Sequence, residues 1–232
     1  MRFAVLVFPG SNCDHDCEWV LKHVLKQKVE MVWHQDSQLP KGVDCVIVPG
    51  GFSYGDYLRC GAIARFSPVM KAVTAHAKKG GLIWGICNGF QILTEAALLP
   101  GALIRNKSLS FICKDVHLKV ERDDSIFSSR VGSKASLRVP IAHGEGNYTC
   151  DDDTLKSLHD NRQILFRYCD EDGFVTPQSN PNGSLENIAG ILDKSGRILG
   201  MMPHPERASE EALGNTDGKL LFESCLNSLS RA

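Results

Sequence analysis

One stretch of the sequence, residues 81–99, constrains the fold more than any other. It begins Gly-Leu-Ile-Trp-Gly-Ile-Cys-Asn-Gly-Phe-Gln and continues with good helix formers whose apolar residues recur at helical spacing. An apolar run that ends in Gly-x-Cys-x-Gly and leads into such a segment is typical of a strand, a sharp turn and a helix. The sequence therefore predicts that Cys87 lies at a tight strand-to-helix turn.

Cys87 is a candidate nucleophile because of the turn that it occupies. Flanking glycines permit the strained geometry of a nucleophile elbow, which lifts one side chain clear of the sheet. The unpaired N–H groups and partial positive charge of a helix N-terminus favour a thiolate over a thiol. The alternative is a buried cysteine that packs as a small hydrophobe, with glycines that only let strand and helix approach. A partner residue is needed to decide.

A candidate partner lies in residues 202–207, which read Met-Pro-His-Pro-Glu-Arg. Each proline pushes the residue before it out of the helical region, so the segment is predicted to be extended, with alternate side chains on one face. His204 and Glu206 would then point the same way. A histidine held by a carboxylate at one ring nitrogen and offered to a thiol at the other activates a nucleophile. A proline-rich surface turn with an incidental ion pair is the alternative.

Backbone groups near the turn are candidates for an oxyanion hole. Gly51 closes a Pro-Gly-Gly at the end of a predicted strand, and its N–H could donate to a developing oxyanion. Asn88, directly after Cys87, could supply the second N–H. A plain glycine turn is the alternative.

Gln91 lies one helical turn beyond Cys87 on the same face of the predicted helix. It is therefore either a substrate contact or a solvent-facing glutamine.

The order of predicted elements indicates an α/β protein. Strands are predicted at the apolar runs 2–8, 29–33, 43–48 and 81–86, and helices over 13–27, 68–78 and from 88 onward. This alternation predicts a doubly wound, mostly parallel sheet with helices on both faces, whose site lies beyond the carboxyl ends of the strands. Alternating residues over 111–120, with later runs at 137–141, 164–169 and a hairpin over 189–201, predict additional antiparallel strands.

Composition limits the class of protein and its partners. The 232 residues suffice for a full core, and we expect a single domain over residues 1–232. The sequence has 26 Lys and Arg residues and 27 Asp and Glu residues, and it contains no basic block. Nucleic acid is therefore disfavoured as a partner. The apolar N-terminal run meets Pro9 well short of the roughly 18 residues of a membrane span, so no membrane is expected either. Nine scattered cysteines without a Cys-x-x-Cys disfavour structural zinc and favour a reducing, cytoplasmic location.

Several of these motifs together resemble the class I, or triad, glutamine amidotransferases. The resemblance rests first on Gly-Ile-Cys-Asn-Gly-Phe-Gln at residues 85–91 and His-Pro-Glu at 204–206. Three further segments narrow it to the family of glutaminase subunits of phosphoribosylformylglycinamidine synthases. These are Phe-Pro-Gly-Ser-Asn-Cys-Asp at 8–14, Pro-Gly-Gly-Phe-Ser-Tyr-Gly-Asp at 49–56 and His-Gly-Glu-Gly at 143–146. The similarity covers essentially the whole chain.

The resemblance assigns roles to individual residues. It implies a catalytic triad of Cys87, His204 and Glu206, and a contact between Gln91 and the substrate glutamine. Cys87 would attack the side-chain amide, His204 would protonate the leaving ammonia, and a water would then cleave the glutamyl thioester.

Residues 143–146 hold the main rivals for base and orienting carboxylate, His143 and Glu145. Their glycine-rich context favours a binding loop, and the resembled family has its triad elsewhere. We therefore expect His143 and Gly144 at the rim of the substrate site and leave the role of Glu145 open. Metal binding by His143 and Glu145 is a weaker interpretation, since no third ligand is near in sequence, and no metal is expected.

The resemblance also implies a division of labour between subunits. Synthesis of phosphoribosylformylglycinamidine requires ATP-dependent activation of an amide oxygen, and the sequence holds no recognisable nucleotide-binding motif. No cofactor is therefore expected in this chain. ATP and magnesium are expected on a separate synthetase subunit that receives the ammonia, with a small accessory subunit in the assembly.

Two other functions stay open at this point. A stand-alone cysteine hydrolase of peptide or γ-glutamyl bonds would act without a partner and would have a cleft open to a longer substrate. A catalytically silent regulatory module could keep the same fold, although the intact Cys87, His204 and Glu206 argue against it.

Overall fold

A mixed β-sheet forms the centre of the protein in the computed structural model, which describes residues 1–229. The strands are, in chain order, β1 (Arg2–Val7), β2 (Lys28–Trp33), β3 (Cys45–Val48), β4 (Leu82–Ile86), β5 (Ala102–Ile104), β6 (Ile112–Val120), β7 (Leu137–His143), β8 (Asn147–Thr149), β9 (Ile164–Cys169), β10 (Ile188–Leu192) and β11 (Ile198–Met201). Nine of these form one sheet in the order β2-β1-β3-β4-β11-β10-β9-β6-β7, and β5 pairs with β8. The last three residues of the predicted 1–232 domain lie outside the described residues, and that boundary stays a prediction.

The large sheet has a parallel half and an antiparallel half. Strands β2, β1, β3, β4 and β11 run parallel to one another. The pairs from β11 through β10, β9 and β6 to β7 are antiparallel. Strands β3 and β4 are buried at every residue, as expected for central parallel strands covered on both faces. The predicted doubly wound α/β sheet with additional antiparallel strands is confirmed.

Helices link the strands, and one of them departs from the prediction. The α-helices of the described residues are α1 (Asp14–Trp19), α2 (Pro68–Lys78), α3 (Asn88–Glu95), α4 (Asp152–Asp160) and α5 (Asp217–Leu229). The single α-helix predicted over 13–27 is wrong in its second half, where a π-helical turn occupies Val20–Val24 and the Leu25 N–H donates to the Val20 carbonyl at 2.9 Å. Lys26 then has a φ of 55°, which an α-helix cannot continue through. Within residues 1–229, no helix has the length and apolar character that crossing a membrane requires.

The parallel strands bring distant segments to one edge of the sheet. Met201 at the end of β11 lies opposite Ile86 at the end of β4. The residues that follow these two strands therefore emerge side by side at the carboxyl edge. The predicted hairpin over 189–201 is confirmed as β10 and β11, and it delivers residues 202–206 beside Cys87.

Candidate active site

Cys87 occupies a strained turn between β4 and α3, as the sequence predicts. Its φ of 50° and ψ of −108° lie outside the regions that a cysteine ordinarily adopts. Gly89 is required because a Cβ there would lie 1.8 Å from the Val48 carbonyl oxygen, so helix and strand could not pack this closely. The Cys87 side chain is almost buried, and its Sγ lies 3.7 Å from the Ala142 carbonyl oxygen. The turn holds a single thiol in a fixed position.

His204 and Glu206 form a buried hydrogen-bonded pair. The distance from His204 Nδ1 to Glu206 Oε1 is 2.6 Å, and each side chain is at most 2% exposed. The prediction that this segment is extended is wrong in its second half, where Pro205–Ala208 forms a 3₁₀ turn. Proline's fixed φ suits the first position of such a turn, and the pair forms within it. Because the Glu206 carboxylate accepts this hydrogen bond, His204 Nδ1 carries the proton that it donates. Nε2 is the ring nitrogen that stays available to exchange a proton with the substrate.

The charge on His204 reflects its neighbours more than its burial. Burial alone would lower the pKa of His204, but the Glu206 carboxylate and then the thiols of Cys87 and Cys13 raise it well above its ordinary value. Its Nε2 is buried and makes no hydrogen bond in this geometry. The ring is therefore suited to hold a proton that it can deliver to a group bound beside Cys87.

Gly50 marks the point where these side chains converge. A Cβ added at Gly50 would lie 2.8 Å from His204 Cε1, 3.1 Å from Cys13 Sγ and 3.3 Å from Cys87 Cβ. The space that a side chain would fill is thus the space between the thiol and the imidazole. The fold brings together Cys87, His204 and Glu206, which the sequence predicts as a triad.

Cys13 is a neighbour of this group that sequence reasoning did not assign. An Nη2 hydrogen of Arg207 points to its Sγ at 3.2 Å, and the Cys13 N–H donates to the Gly50 carbonyl at 3.3 Å. Burial raises the pKa of the Cys13 thiol. The available signal was its place in the 8–14 segment, which follows β1 at the same edge of the sheet.

A cavity of about 360 Å³ opens beside Cys87. Its walls include the predicted site residues Gly51, Cys87, Gln91, His143 and Gly144, and also Glu145, whose role the sequence left open. The structure therefore gathers the predicted oxyanion and substrate residues around one space, with Asn88 buried at the first position of α3. The N–H groups of Gly51 and Asn88 as oxyanion donors stay a prediction.

Gln91 is buried and already hydrogen-bonded, so its interpretation as a solvent-facing residue is wrong. Its Nε2 donates to the Glu145 carbonyl oxygen at 2.6 Å, and its Oε1 accepts from Asn88 Nδ2 at 2.8 Å. The side chain thus ties the 143–146 loop to the helix that follows the nucleophile. Its contact with a substrate stays a prediction.

His143 does not form a base-and-carboxylate pair with Glu145. Its Nδ1 instead lies 3.1 Å from Asn106 Oδ1, a partner that no sequence signal indicated. Burial and the nearby His204 lower the pKa of His143 to about 4, so the ring is neutral at physiological pH. A neutral, buried histidine is a poor rival for the role of proton carrier and fits a binding wall.

A metal at His143 and Glu145 finds no support in the geometry. Among residues 1–229, the side chains close enough to share an ion are those of Cys13, His204 and Glu206, which lie within 4.8 Å of one another. In that group, His204 and Glu206 already bond each other.

Comparison with known proteins agrees with this arrangement. Residues 1–219 match the family of CobB/CobQ-like glutamine amidotransferase domains. The chain is 59% identical over 229 residues to the phosphoribosylformylglycinamidine synthase subunit PurQ of Acaryochloris marina, covering 99% of this chain and 97% of the relative. The PurQ subunit of Koribacter versatilis is 57% identical over 231 residues, with both chains fully covered. The chain belongs to the PurQ family of glutamine amidotransferases.

Solved structures agree with membership of the PurQ family. A chain of PurLQS from Thermotoga maritima superposes with a TM-score of 0.87 at 44% identity, with 98% of each chain covered. A putative GMP synthase subunit from Thermoplasma acidophilum, at 17% identity and a TM-score of 0.65, shares the fold alone. The predicted resemblance to glutaminase subunits of phosphoribosylformylglycinamidine synthases is therefore confirmed.

Selective labelling tests Cys87 as the reactive thiol. We expect an electrophilic glutamine analogue to modify Cys87 at least ~10-fold faster than any other cysteine, because the analogue would bind in the cavity that Cys87 lines. Cys60 lines the same cavity, but burial raises the pKa of its thiol far above the ordinary range. Cys113 is exposed but is not among the residues that line the cavity. Peptide mapping after partial modification measures the order in which the cysteines are labelled. Labelling of Cys60 or Cys113 before Cys87 would contradict the assignment.

Proposed function

We propose that this chain hydrolyses the side-chain amide of glutamine and supplies the ammonia to a separate ATP-dependent synthetase that makes phosphoribosylformylglycinamidine. The observation that carries the proposal is the convergence of Cys87 and His204 on Gly50, with Glu206 bonded to His204 Nδ1 at 2.6 Å. A thiol, a proton carrier and an orienting carboxylate are the parts that amide hydrolysis through a covalent intermediate requires. Membership of the PurQ family supports phosphoribosylformylglycinamidine synthesis as the reaction that uses the ammonia.

In the proposed reaction, Cys87 Sγ attacks the amide carbon of glutamine. Negative charge then develops on the amide oxygen, where N–H groups at Gly51 and Asn88 would stabilise it. The protonated His204 gives its proton to the leaving nitrogen, and ammonia departs as the carbon–nitrogen bond breaks. His204, again a base, then activates a water that cleaves the thioester to glutamate.

Glu206 has a positioning role in this scheme. Its carboxylate contributes to the raised pKa of His204 and holds the ring so that Nε2 faces the thiol side of the site. The raised pKa favours an imidazolium at physiological pH. An imidazolium beside Cys87 is the form that can protonate ammonia as it leaves.

The proposal places ATP chemistry and its magnesium on a partner, with no cofactor in this chain. The Thermotoga maritima structure is one of PurLQS, so a chain that resembles this one is found there with other subunits. We propose a synthetase and a small accessory subunit as partners of this chain also. We further propose a cytoplasmic location, where its nine free cysteines would stay reduced.

Dependence on a partner is the test of this proposal. Tyr54, Asp56 and Leu58 all have positive φ angles, so the loop that follows Gly51 is strained and a docked partner could reset it. We expect the isolated chain to hydrolyse glutamine weakly and the rate to rise roughly 10- to 100-fold when synthetase, nucleotide and acceptor substrate are added. Glutamate release, measured with and without each addition, gives the result.

The same measurement separates the alternatives. Full activity of the chain alone, unchanged by the synthetase, would favour a stand-alone cysteine hydrolase. No activity under any condition, together with no labelling of Cys87, would favour a silent module.

A further inference from the structure

Three polar side chains form a cluster that the proposed reaction does not use. Tyr54 Oη lies 2.7 Å from His34 Nδ1 and 2.9 Å from Ser67 Oγ. Of these two partners, His34 is 5% exposed and Ser67 is 4% exposed. Whichever ring nitrogen of His34 carries the proton, the Tyr54 hydroxyl can donate to one partner and accept from the other. These three residues, the Tyr54 anchor, are thus joined by hydrogen bonds inside the protein.

Ser67 gives up another role to take part in the Tyr54 anchor. It occupies the N-cap position of α2, where a serine oxygen ordinarily accepts from an N–H of the first turn and stabilises the helix. The Ser67 side chain makes no such capping bond, and its hydroxyl contacts Tyr54 instead. A local rule that is broken in this way indicates that another requirement outweighs the stability of the helix end.

His34 fixes the anchor to the central sheet and to α2. Its N–H donates to the Val7 carbonyl at the end of β1 at 2.9 Å, and its carbonyl accepts from the Val69 N–H in α2 at 3.2 Å. His34 itself directly follows β2. The Tyr54 hydroxyl is therefore held against three elements of the fold, and not against another loop.

The loop that carries Tyr54 needs such support because its backbone is strained. Tyr54 has a φ of 55°, Asp56 of 54° and Leu58 of 69°. Non-glycine residues in this region cost free energy and keep the conformation only where their surroundings hold it. Farther along the loop, Tyr57 is 73% exposed and Leu58 is 92% exposed, so burial supports that part little. The conformation of the loop therefore depends on contacts near its start, where the anchor lies.

The residues between Gly51 and Tyr54 connect the anchor to the active site. Three successive N–H groups donate to neighbouring segments: Phe52 to the Gly10 carbonyl at 3.0 Å, Ser53 to Asn88 Oδ1 at 3.2 Å and Tyr54 to the Pro9 carbonyl at 2.6 Å. Through Ser53, the loop is bonded to the residue that directly follows Cys87. A shift at Tyr54 would therefore move both Gly51 and the contact to Asn88.

We propose that Tyr54, held by His34 and Ser67, is a positioning residue that sets the Gly51 N–H in the oxyanion hole. This inference rests on the proposed function, because it takes Gly51 and Asn88 to be the oxyanion donors. Tyr54 is not among the residues that line the cavity, so its effect on the reaction passes through the loop. An oxyanion donor acts on charge that develops in the transition state, so its displacement lowers kcat and leaves substrate binding nearly unchanged.

Tyr54→Phe tests the proposal because it removes the hydroxyl and keeps the ring. In the complex with synthetase, we expect kcat for glutamine hydrolysis to fall about 10-fold, less than the roughly 100-fold or greater loss when an oxyanion donor is removed outright. KM for glutamine should stay within about 2-fold of the wild-type value. Tyr57→Phe, the same change at an exposed position of the same loop, is the matched control and should leave both constants unchanged.

Ser67→Ala removes a second member of the anchor without removing a helix cap. It should lower kcat in the same way as Tyr54→Phe. Because the two hydroxyls act through one network, the double variant should lose less than the product of the two single losses. Synthesis from ammonium should stay at the wild-type level in all three variants, which checks that the complex assembles.

Amide hydrogen exchange tests the anchor without turnover. In the Tyr54→Phe chain, the amides of Ser53 and Tyr54 should exchange about 10-fold faster than in the wild type, while those of β3 should be unchanged. The proposal is wrong if this exchange or kcat is unchanged, if the loss appears in KM, or if the two single losses multiply. A wild-type complex that releases no glutamate would contradict the proposed function, and faster exchange in the variant would then still support Tyr54 as the anchor of the loop.

Discussion

Cys87→Ala should abolish synthesis from glutamine while leaving synthesis from ammonium intact. Removing the nucleophile of a triad enzyme lowers turnover by about 10⁴-fold or more. The substitution removes one buried sulfur atom, and the strained turn around it is held by Gly85, Gly89 and the β4–α3 packing. Docking surfaces should therefore stay unchanged, and the proposed synthetase would still receive ammonia supplied from outside.

The measurement is product formation by the reconstituted complex with each nitrogen source. Ammonium is supplied at high concentration and alkaline pH, where neutral ammonia is abundant. Cys113→Ala is the control, because Cys113 is an exposed thiol on β6 outside the cavity. A Cys87→Ala complex that assembles normally but fails with ammonium as completely as with glutamine would show that Cys87 does something other than release ammonia.

Gly50→Ala should lower glutamine hydrolysis by about 100-fold, because misplacement of reacting groups by about 1 Å has an effect of that size. The added methyl group would lie 2.8 Å from His204 Cε1 and 3.3 Å from Cys87 Cβ, which forces the imidazole and the thiol apart. The backbone of Gly50 is not in the left-handed region, so alanine adds no φ strain there. The loss should fall on kcat and spare the ammonium-dependent reaction.

Circular dichroism and thermal unfolding separate this effect from a loss of folding. Gly132→Ala is the control: its φ is 66°, so alanine is mildly strained, but the new methyl group has no neighbour within 4 Å. A Gly50→Ala chain with normal unfolding and normal turnover would mean that His204 need not approach Cys87 through this space. The triad geometry would then have to be revised.

Local sequence patterns determined the parts of the site that depend on near neighbours. The Gly-x-Cys-x-Gly pattern predicted the turn at Cys87 because glycines are needed where strand and helix meet within van der Waals distance. The two-residue spacing of His204 and Glu206 predicted their pairing, although the backbone between them is a 3₁₀ turn and not a strand. Short spacings allow few geometries, so such predictions hold even when the exact backbone differs.

Tertiary structure provides the contacts between groups that are distant in the chain. The resemblance predicted that Cys87 and His204 act together, and the parallel pairing of β11 with β4 is what makes them adjacent. The same packing gave His143 an amide partner, Asn106, and so made it neutral and an acceptor. It also placed Asp56 and Glu145 in one cavity from loops far apart in the chain. Charge and tautomer depend on burial and on neighbours, which spacing along a sequence does not encode.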